Sequence, residues 1–211
     1  MKYLKYYIST ITILSAGYIC TLGKFFPFVF FISFSLFIIF GDLILKGDDK
    51  KHNYKYNLFL NLPIYLNLPL LILFLMTVVF ILGNSDENVY SIFFLDILNI
   101  DLLHLRESIY FSDKIALIAL TSLFIGIMGT VPGHELSHRI KEKFDLFVGN
   151  WLLSLSWDCA FAIEHVYGHH KNVGLLKDPA TAKRGENVYK FVFTAIIKEQ
   201  IDAWKIEIER L

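Results

Sequence analysis

Five of the seven histidines in this 211-residue chain fall in one stretch: His134, His138, His165, His169 and His170. Imidazole is a ligand for iron, zinc, copper and nickel, so histidines gathered this way raise metal chemistry first. The first pair lies in GHELSHR, residues 133–139. A spacing of four puts two side chains on the same face of a helix, where both rings can address one metal or two adjacent ones. The second group, EHVYGHH at 164–170, repeats that spacing. On an α-helix His165 and His169 share a face, and His170 stands about 100° round. His52 and His104 stand alone and read as ordinary polar residues at a membrane boundary. Ionisable groups at membrane depth are costly and usually functional, which sets the five apart.

The elements that must position these histidines are membrane helices. Hydrophobic residues make up 55% of the chain and charged residues 19%, with a mean hydropathy of +0.51. Four blocks, Tyr6–Gly23, Phe25–Gly41, Tyr56–Ser85 and Ile115–Gly133, contain no Asp, Glu, Lys or Arg. A helix needs about 20 mainly apolar residues to cross ~30 Å of hydrocarbon, so the sequence predicts an all-α polytopic transmembrane protein with about four spans plus interfacial helices. The first block follows Lys2 and Lys5 but has no small-residue cleavage site after it, so it reads as a retained span rather than a signal peptide. Pro63 and Pro69 predict a broken or kinked entry into the third block before the run Leu70–Leu82. The apolar stretches within Ile92–Leu105 are short and predict an interfacial helix.

Charge bias gives an orientation. Lys2, Lys5, the Lys46–Asn57 loop with Lys46, Lys50, Lys51 and Lys55, and Arg139, Lys141 and Lys143 are basic, whereas Asn84–Lys114 holds six acidic residues against two bases. By the positive-inside rule the basic segments lie in the cytoplasm, and four spans then put the histidines on the cytoplasmic side. Between the two histidine groups the uncharged run Leu146–Trp157 rises only about 18 Å as a helix. It therefore lies in the interface or dips and returns, with Trp151 and Trp157 as anchors. Cys20 and Cys159 form neither a disulfide framework nor a CxxC pair. Zero net charge says nothing about nucleic acid, and no basic stripe suggests it as a partner.

GHELSHR, EHVYGHH and KDPATAKRGENVYKF, in this order and spacing, together resemble the alkane monooxygenase family of the membrane fatty acid desaturase and hydroxylase superfamily; GDLILKGDD at 41–49 adds a weaker likeness. The resemblance implies an inner-membrane enzyme in which two non-haem irons activate dioxygen and insert one oxygen atom into the terminal C–H bond of a hydrocarbon. Electrons would come from rubredoxin and rubredoxin reductase. It implies that His134 and His138 are metal ligands from a first box, and His165, His169 and His170 from a second. Glu135, Glu164 and Asp178 become candidates for the carboxylates that accept the second ring N–H of ligating histidines. The family has a further histidine-rich region in its C-terminal half, and no histidine follows His170 here. The chain, residues 1–211, is therefore expected to be a single membrane domain resembling the N-terminal half of such an enzyme, binding metal poorly and hydroxylating nothing by itself.

Other readings stay open on the residues alone. HELSH is also a literal HExxH, in which two histidines hold zinc and Glu135 serves as general base, with Glu164 or His165 as a third ligand. The same superfamily includes enzymes acting on acyl and aromatic substrates. A chain without the third histidine region could also be completed by a second polypeptide, or be an inert remnant.

Overall fold

The computed structural model describes residues 3–45 and 53–211. Lys2, Lys46, Lys50, Lys51 and His52, invoked above, lie outside the described residues. Every described element is helical. Residues up to Met128 form one unit and Gly129–Leu211 another.

In the first unit, α1 (Ile8–Cys20) is followed by α2 (Phe26–Ile44), α3 (Leu58–Leu82), two short helices α4 (Val89–Leu98) and α5 (Leu102–Ser108), and α6 (Phe111–Phe124). Helix α1 packs on α2 and α3, and α6 on α2 and α3. The centre is aromatic: Phe124 is fully buried, with Phe74 at 5.3 Å and Phe34 at 5.6 Å, both edge-on. Three helices are long and apolar enough to cross a membrane: Phe26–Ile44, Leu58–Leu82 and Phe111–Ser137. Almost none of helix α2 is buried. An exposed face of Phe, Ile and Leu on that scale belongs against lipid, not water.

Two expectations need adjusting. The first apolar block yields an α-helix of 13 residues, preceded by a 3-10 turn at Leu4–Tyr7. That helix rises about 20 Å, short of a full span by itself. It nevertheless runs from one end of the bundle to the other. At one end Tyr3 Oη accepts from the amides of Lys55 and Tyr56, and Tyr6 Oη donates to Tyr54 Oη. At the other, Gly23 (φ +69°) turns the chain so close to α5 that a Cβ there would lie 2.5 Å from Ser108 Oγ. The basic N-terminal end and the acidic 84–114 segment are thus separated by the length of the bundle. The second adjustment concerns Pro63 and Pro69, which sit inside a continuous 25-residue α3 rather than breaking its entry. In a membrane helix the backbone groups a proline frees are satisfied by neighbouring helices and side chains. Asn67, between the two prolines and buried, donates to Met128 O at 3.0 Å.

Asp113 sets the register of α2 against α6. Fully buried, it accepts from Tyr110 N at 2.8 Å, capping its own helix, and from Phe28 N at 3.1 Å in the first turn of α2. A carboxylate at a helix N-terminus satisfies free amides and complements the dipole. Here one carboxylate serves two helices that start at the same end.

Candidate metal centre

All five clustered histidines lie in the second unit. A π-helical stretch, Ile125–Thr130, leads into α7 (Val131–Ser137), and His138 caps α7 at its C-terminus. Helix α8 (Lys143–Ser154) returns alongside α7. Their crossing is glycine on glycine: a Cβ at Gly149 would sit 2.9 Å from Leu136 Cβ and 3.2 Å from Gly133 O. Small residues at such crossings let helix backbones approach closely. Arg139 Nη1 donates to Asp145 Oδ2 at 3.0 Å, holding the turn after His138 to the start of α8. Helix α8 is 12 residues long, the short returning helix expected between the two histidine groups. Trp151 and Trp157 are both exposed, and Trp157 takes a left-handed φ of +64° where the chain reverses.

The second histidine group forms α9 (Phe161–Ile163), a π-helical turn (Glu164–His169) and α10 (His170–Asn172). The π-turn alters the pairing that α-helical geometry predicts. Residues five apart come into register in a π-helix, so His165 pairs with His170, their Nε2 atoms 3.0 Å apart. His169 stacks on His165 at 5.5 Å, and its Nδ1 meets Asp178 Oδ2 at 2.9 Å. In the first box the α-helical expectation holds: His134 Nε2 and His138 Nε2 are 3.0 Å apart.

The two boxes converge. Ligand atoms of His134, His138 and His165 all lie within 4.8 Å of one another. Ring centroids are 4.3 Å apart for His134 and His165, and 4.9 Å for His138 and His170. With metal–nitrogen bonds of about 2.1 Å, two ligands at right angles sit ~3.0 Å apart, whereas tetrahedral ligands sit nearer ~3.4 Å. Both separations lie in the range that ligands of one metal ion adopt, and imidazole donors of this kind can hold iron, zinc, copper or nickel. Burial, then the rings of His134, His170, His138 and His169, push His165 down to about 4. Its ring is neutral near pH 7, the form that ligates metal.

The carboxylates differ sharply. Asp178 is buried and fully engaged: besides His169 it accepts from Thr181 Oγ1 and from Ala180 N. Burial alone would raise its pKa; the hydrogen bonds from Thr181, Ala180 and His169 outweigh that and hold it below the ordinary value. A carboxylate on Nδ1 fixes the ring and leaves Nε2 free to ligate. Replacing Asp178 with Asn should therefore weaken Co²⁺ binding by the chain about 10- to 100-fold, read by competition against a chromogenic chelator. Unchanged affinity would remove Asp178 from the site. Glu135 is exposed. Glu164 is buried, and its Oε1 has no hydrogen-bond partner. Burial first, then the charges of Glu199, Asp178, Asp202 and Asp158, push Glu164 up to about 7.

Sequence reasoning missed four contributors. Phe161 stacks on His165 at 4.5 Å and 16°, one helical turn before it, a spacing visible in the sequence but unremarkable there. Gly168 lets the next helix approach: a Cβ there would meet Glu164 Oε1 at 2.9 Å and Asp202 Oδ2 at 3.2 Å. Glu199 and Asp202 come from α11 (Val188–Arg210), which packs on the π-turn, and no sequence signal separates them from the other charges of that helix.

Residues 114–211 match the family model described as fatty acid desaturase. The chain is 38% identical over 98 residues to the alkane 1-monooxygenase of Ectopseudomonas oleovorans, covering 46% of this chain and 24% of that protein. The alkane 1-monooxygenase of Pseudomonas putida gives the same identity and coverage. Alkane 1-monooxygenase 1 of Alcanivorax borkumensis is 38% identical over 93 residues, 43% of this chain and 23% of the relative. The match thus spans about a quarter of the length of these curated relatives. The resemblance read from GHELSHR, EHVYGHH and KDPATAKRGENVYKF is borne out, and all three motifs fall inside the stretch the family model matches. No solved structure matches the chain.

Proposed function

We propose that this chain carries part of the metal centre of a multi-pass inner-membrane monooxygenase of the alkane 1-monooxygenase type, its histidines facing the cytoplasm. The observation that carries the reading is the convergence of GHELSHR and EHVYGHH, separate in sequence, on one set of histidine rings in contact. In this reading His134, His138, His165, His169 and His170 hold non-haem iron, two ions in the whole enzyme. Iron bound there would supply the activation of dioxygen that places one oxygen atom in the terminal C–H bond of a hydrocarbon. The protein's own part is to keep the His165 imidazole neutral, fix the His169 ring through Asp178 and shield one flank of the cluster with Phe161. Rubredoxin and its reductase are the electron donors this reading calls for.

Anaerobic purification with metal analysis, then octane turnover with rubredoxin and reductase supplied, tests the proposal. Iron in the protein, lost on substitution of the five histidines, supports it, whereas octan-1-ol production by this chain alone would overturn the reading that it carries only part of the centre. Stoichiometric zinc with no uptake of iron would sink it and favour the HExxH reading.

The first unit also has room for an apolar molecule. A cavity of about 390 Å³ in the second unit is rimmed with charge, but one of about 320 Å³ in the first is almost wholly apolar. The latter lies between α1, α3 and α4, with Ile13, Gly17, Phe74, Thr77, Phe94 and Leu98 among its walls. Gly17 lines this space and a Cβ there meets nothing within 4 Å, so Gly17→Phe should place a ring in it. Binding of a spin-labelled alkane to the purified chain should then fall about tenfold; unchanged binding would exclude this cavity as a hydrocarbon pocket.

A further inference from the structure

The C-terminal helix α11 has a face that the second unit leaves uncovered. Its 23 residues would be long enough to cross a membrane. It is not among the candidate spans, because Lys190, Lys198, Glu199, Asp202, Lys205, Glu207, Glu209 and Arg210 interrupt it. Six of these charges lie off one face of the helix, and Lys190 and Glu207 fall on that face towards its two ends. Ala195 and Ala203 are buried, and Asp202 reaches the Gly168 side of the π-turn. On the opposite face Tyr189, Phe193, Ile197, Ile201, Trp204 and Ile208 are all exposed, Trp204 to 71% and Phe193 to 70%. They recur at spacings of three, four and seven, the repeat of a single helical stripe. The stripe is about 29 Å long.

We propose that α11 lies in the plane of the bilayer surface, its stripe sunk into the boundary between headgroups and acyl chains and its lysines on anionic phospholipid headgroups. Three features select lipid as the occupant. The same unit contains the end of a candidate span, α7 being the last part of Phe111–Ser137, so bilayer is within reach without a second molecule. Lys198 and Lys205 are exposed and stand side by side along one edge of the stripe, two turns apart. Lysines so placed lay their stems along apolar surface and lift the ammonium to the headgroups. Tyr189 and Trp204, towards opposite ends of the stripe, are the residue types that favour the interface. Helices of this kind, apolar on one face and lysine-flanked, bury roughly 5–10 Å into that boundary. Lying there, α11 would hold Glu199 and Asp202 against the histidine-bearing turn, with the membrane as its outer support.

The test uses the full chain in vesicles of phosphatidylcholine and phosphatidylglycerol and needs no metal. With Trp151→Phe and Trp157→Phe, Trp204 is the remaining tryptophan. Its fluorescence should be quenched roughly twofold more by lipids brominated near the carbonyls than by those brominated near the chain ends, and be shielded from acrylamide. A second reporter, Phe193→Trp with all three tryptophans replaced by Phe, should give the same depth. Lys198→Glu with Lys205→Glu should lift Trp204 towards water in these vesicles and less so without phosphatidylglycerol. Acrylamide quenching without lipid quenching would overturn the proposal, as would strongest quenching from the chain ends. Efficient disulfide formation between copies of Trp204→Cys at high lipid dilution, without lipid quenching of the Phe193→Trp reporter, would assign the face to a second copy and overturn it too.

Discussion

Replacing His165 with Gln should cost the chain at least about a hundredfold in affinity for Co²⁺ or Fe²⁺, more than any other single substitution. His165 is the histidine on which both boxes meet. Its ring is 4.3 Å from His134, 5.1 Å from His138, 4.5 Å from His170 and 5.5 Å from His169. Removing it takes away the ring that touches both members of the first box and leaves His138–His170, at 4.9 Å, as the contact between the boxes. Glutamine keeps most of the volume beneath Phe161, so the loss reports on ligation rather than packing. His104→Gln, in the first unit, serves as the control and should bind like the parent. An anaerobic titration against a competing chelator reads both. Parental affinity in His165→Gln would mean that the convergence of the rings is fortuitous and that the metal centre lies elsewhere.

The second large effect is on stability and falls on a single methyl group. Gly149→Ala places a Cβ 2.9 Å from Leu136 Cβ and 3.2 Å from Gly133 O. Neither neighbour is the free end of a flexible side chain, so α7 and α8 must separate. Overpacking of this kind costs about 1–3 kcal/mol, and each kcal/mol lowers the melting temperature of a unit this size by roughly 4–8 °C. Because His134 and His138 ride on α7, metal affinity should fall along with stability. Gly17→Ala, where a Cβ meets nothing within 4 Å, should leave both unchanged. Circular dichroism melts in detergent compare the two. A Gly149→Ala protein that melts with the parent would show that α7 and α8 do not cross on these glycines.

What could be read from the sequence depended on whether a feature is local. The pair His134 and His138 follows from the α-helical repeat alone, and its geometry came out as predicted. The pairing His165–His170 did not follow, because five-residue register requires a π-turn, and EHVYGHH carries no residue that demands one. Asp178 was legible as a carboxylate near the motif. That it would bond His169 and not another ring depended on the turn Asp178–Thr181 closing back, which spacing alone does not fix. Glu199 and Asp202 look like solvated charges because helical periodicity does not say which face packs. In the first unit Pro63 and Pro69 misled for the same reason: in water they would break a helix, but the continuity of α3 is set by its surroundings.

The π-turn bears on how the family can vary in length. A π-turn is one residue longer than the α-turn it replaces. Deleting Val166 would let the segment relax to an α-helix in which His165 and His170, now four apart, still share a face. A single-residue gap at this point is therefore a change natural descendants could absorb with the histidine pair intact. The same deletion in the middle of α8 would rotate everything after it by about 100° and carry the Gly149 crossing out of register. Collections of natural variants and deletion libraries should show shortened chains at 166–168 and uniform length through 143–154.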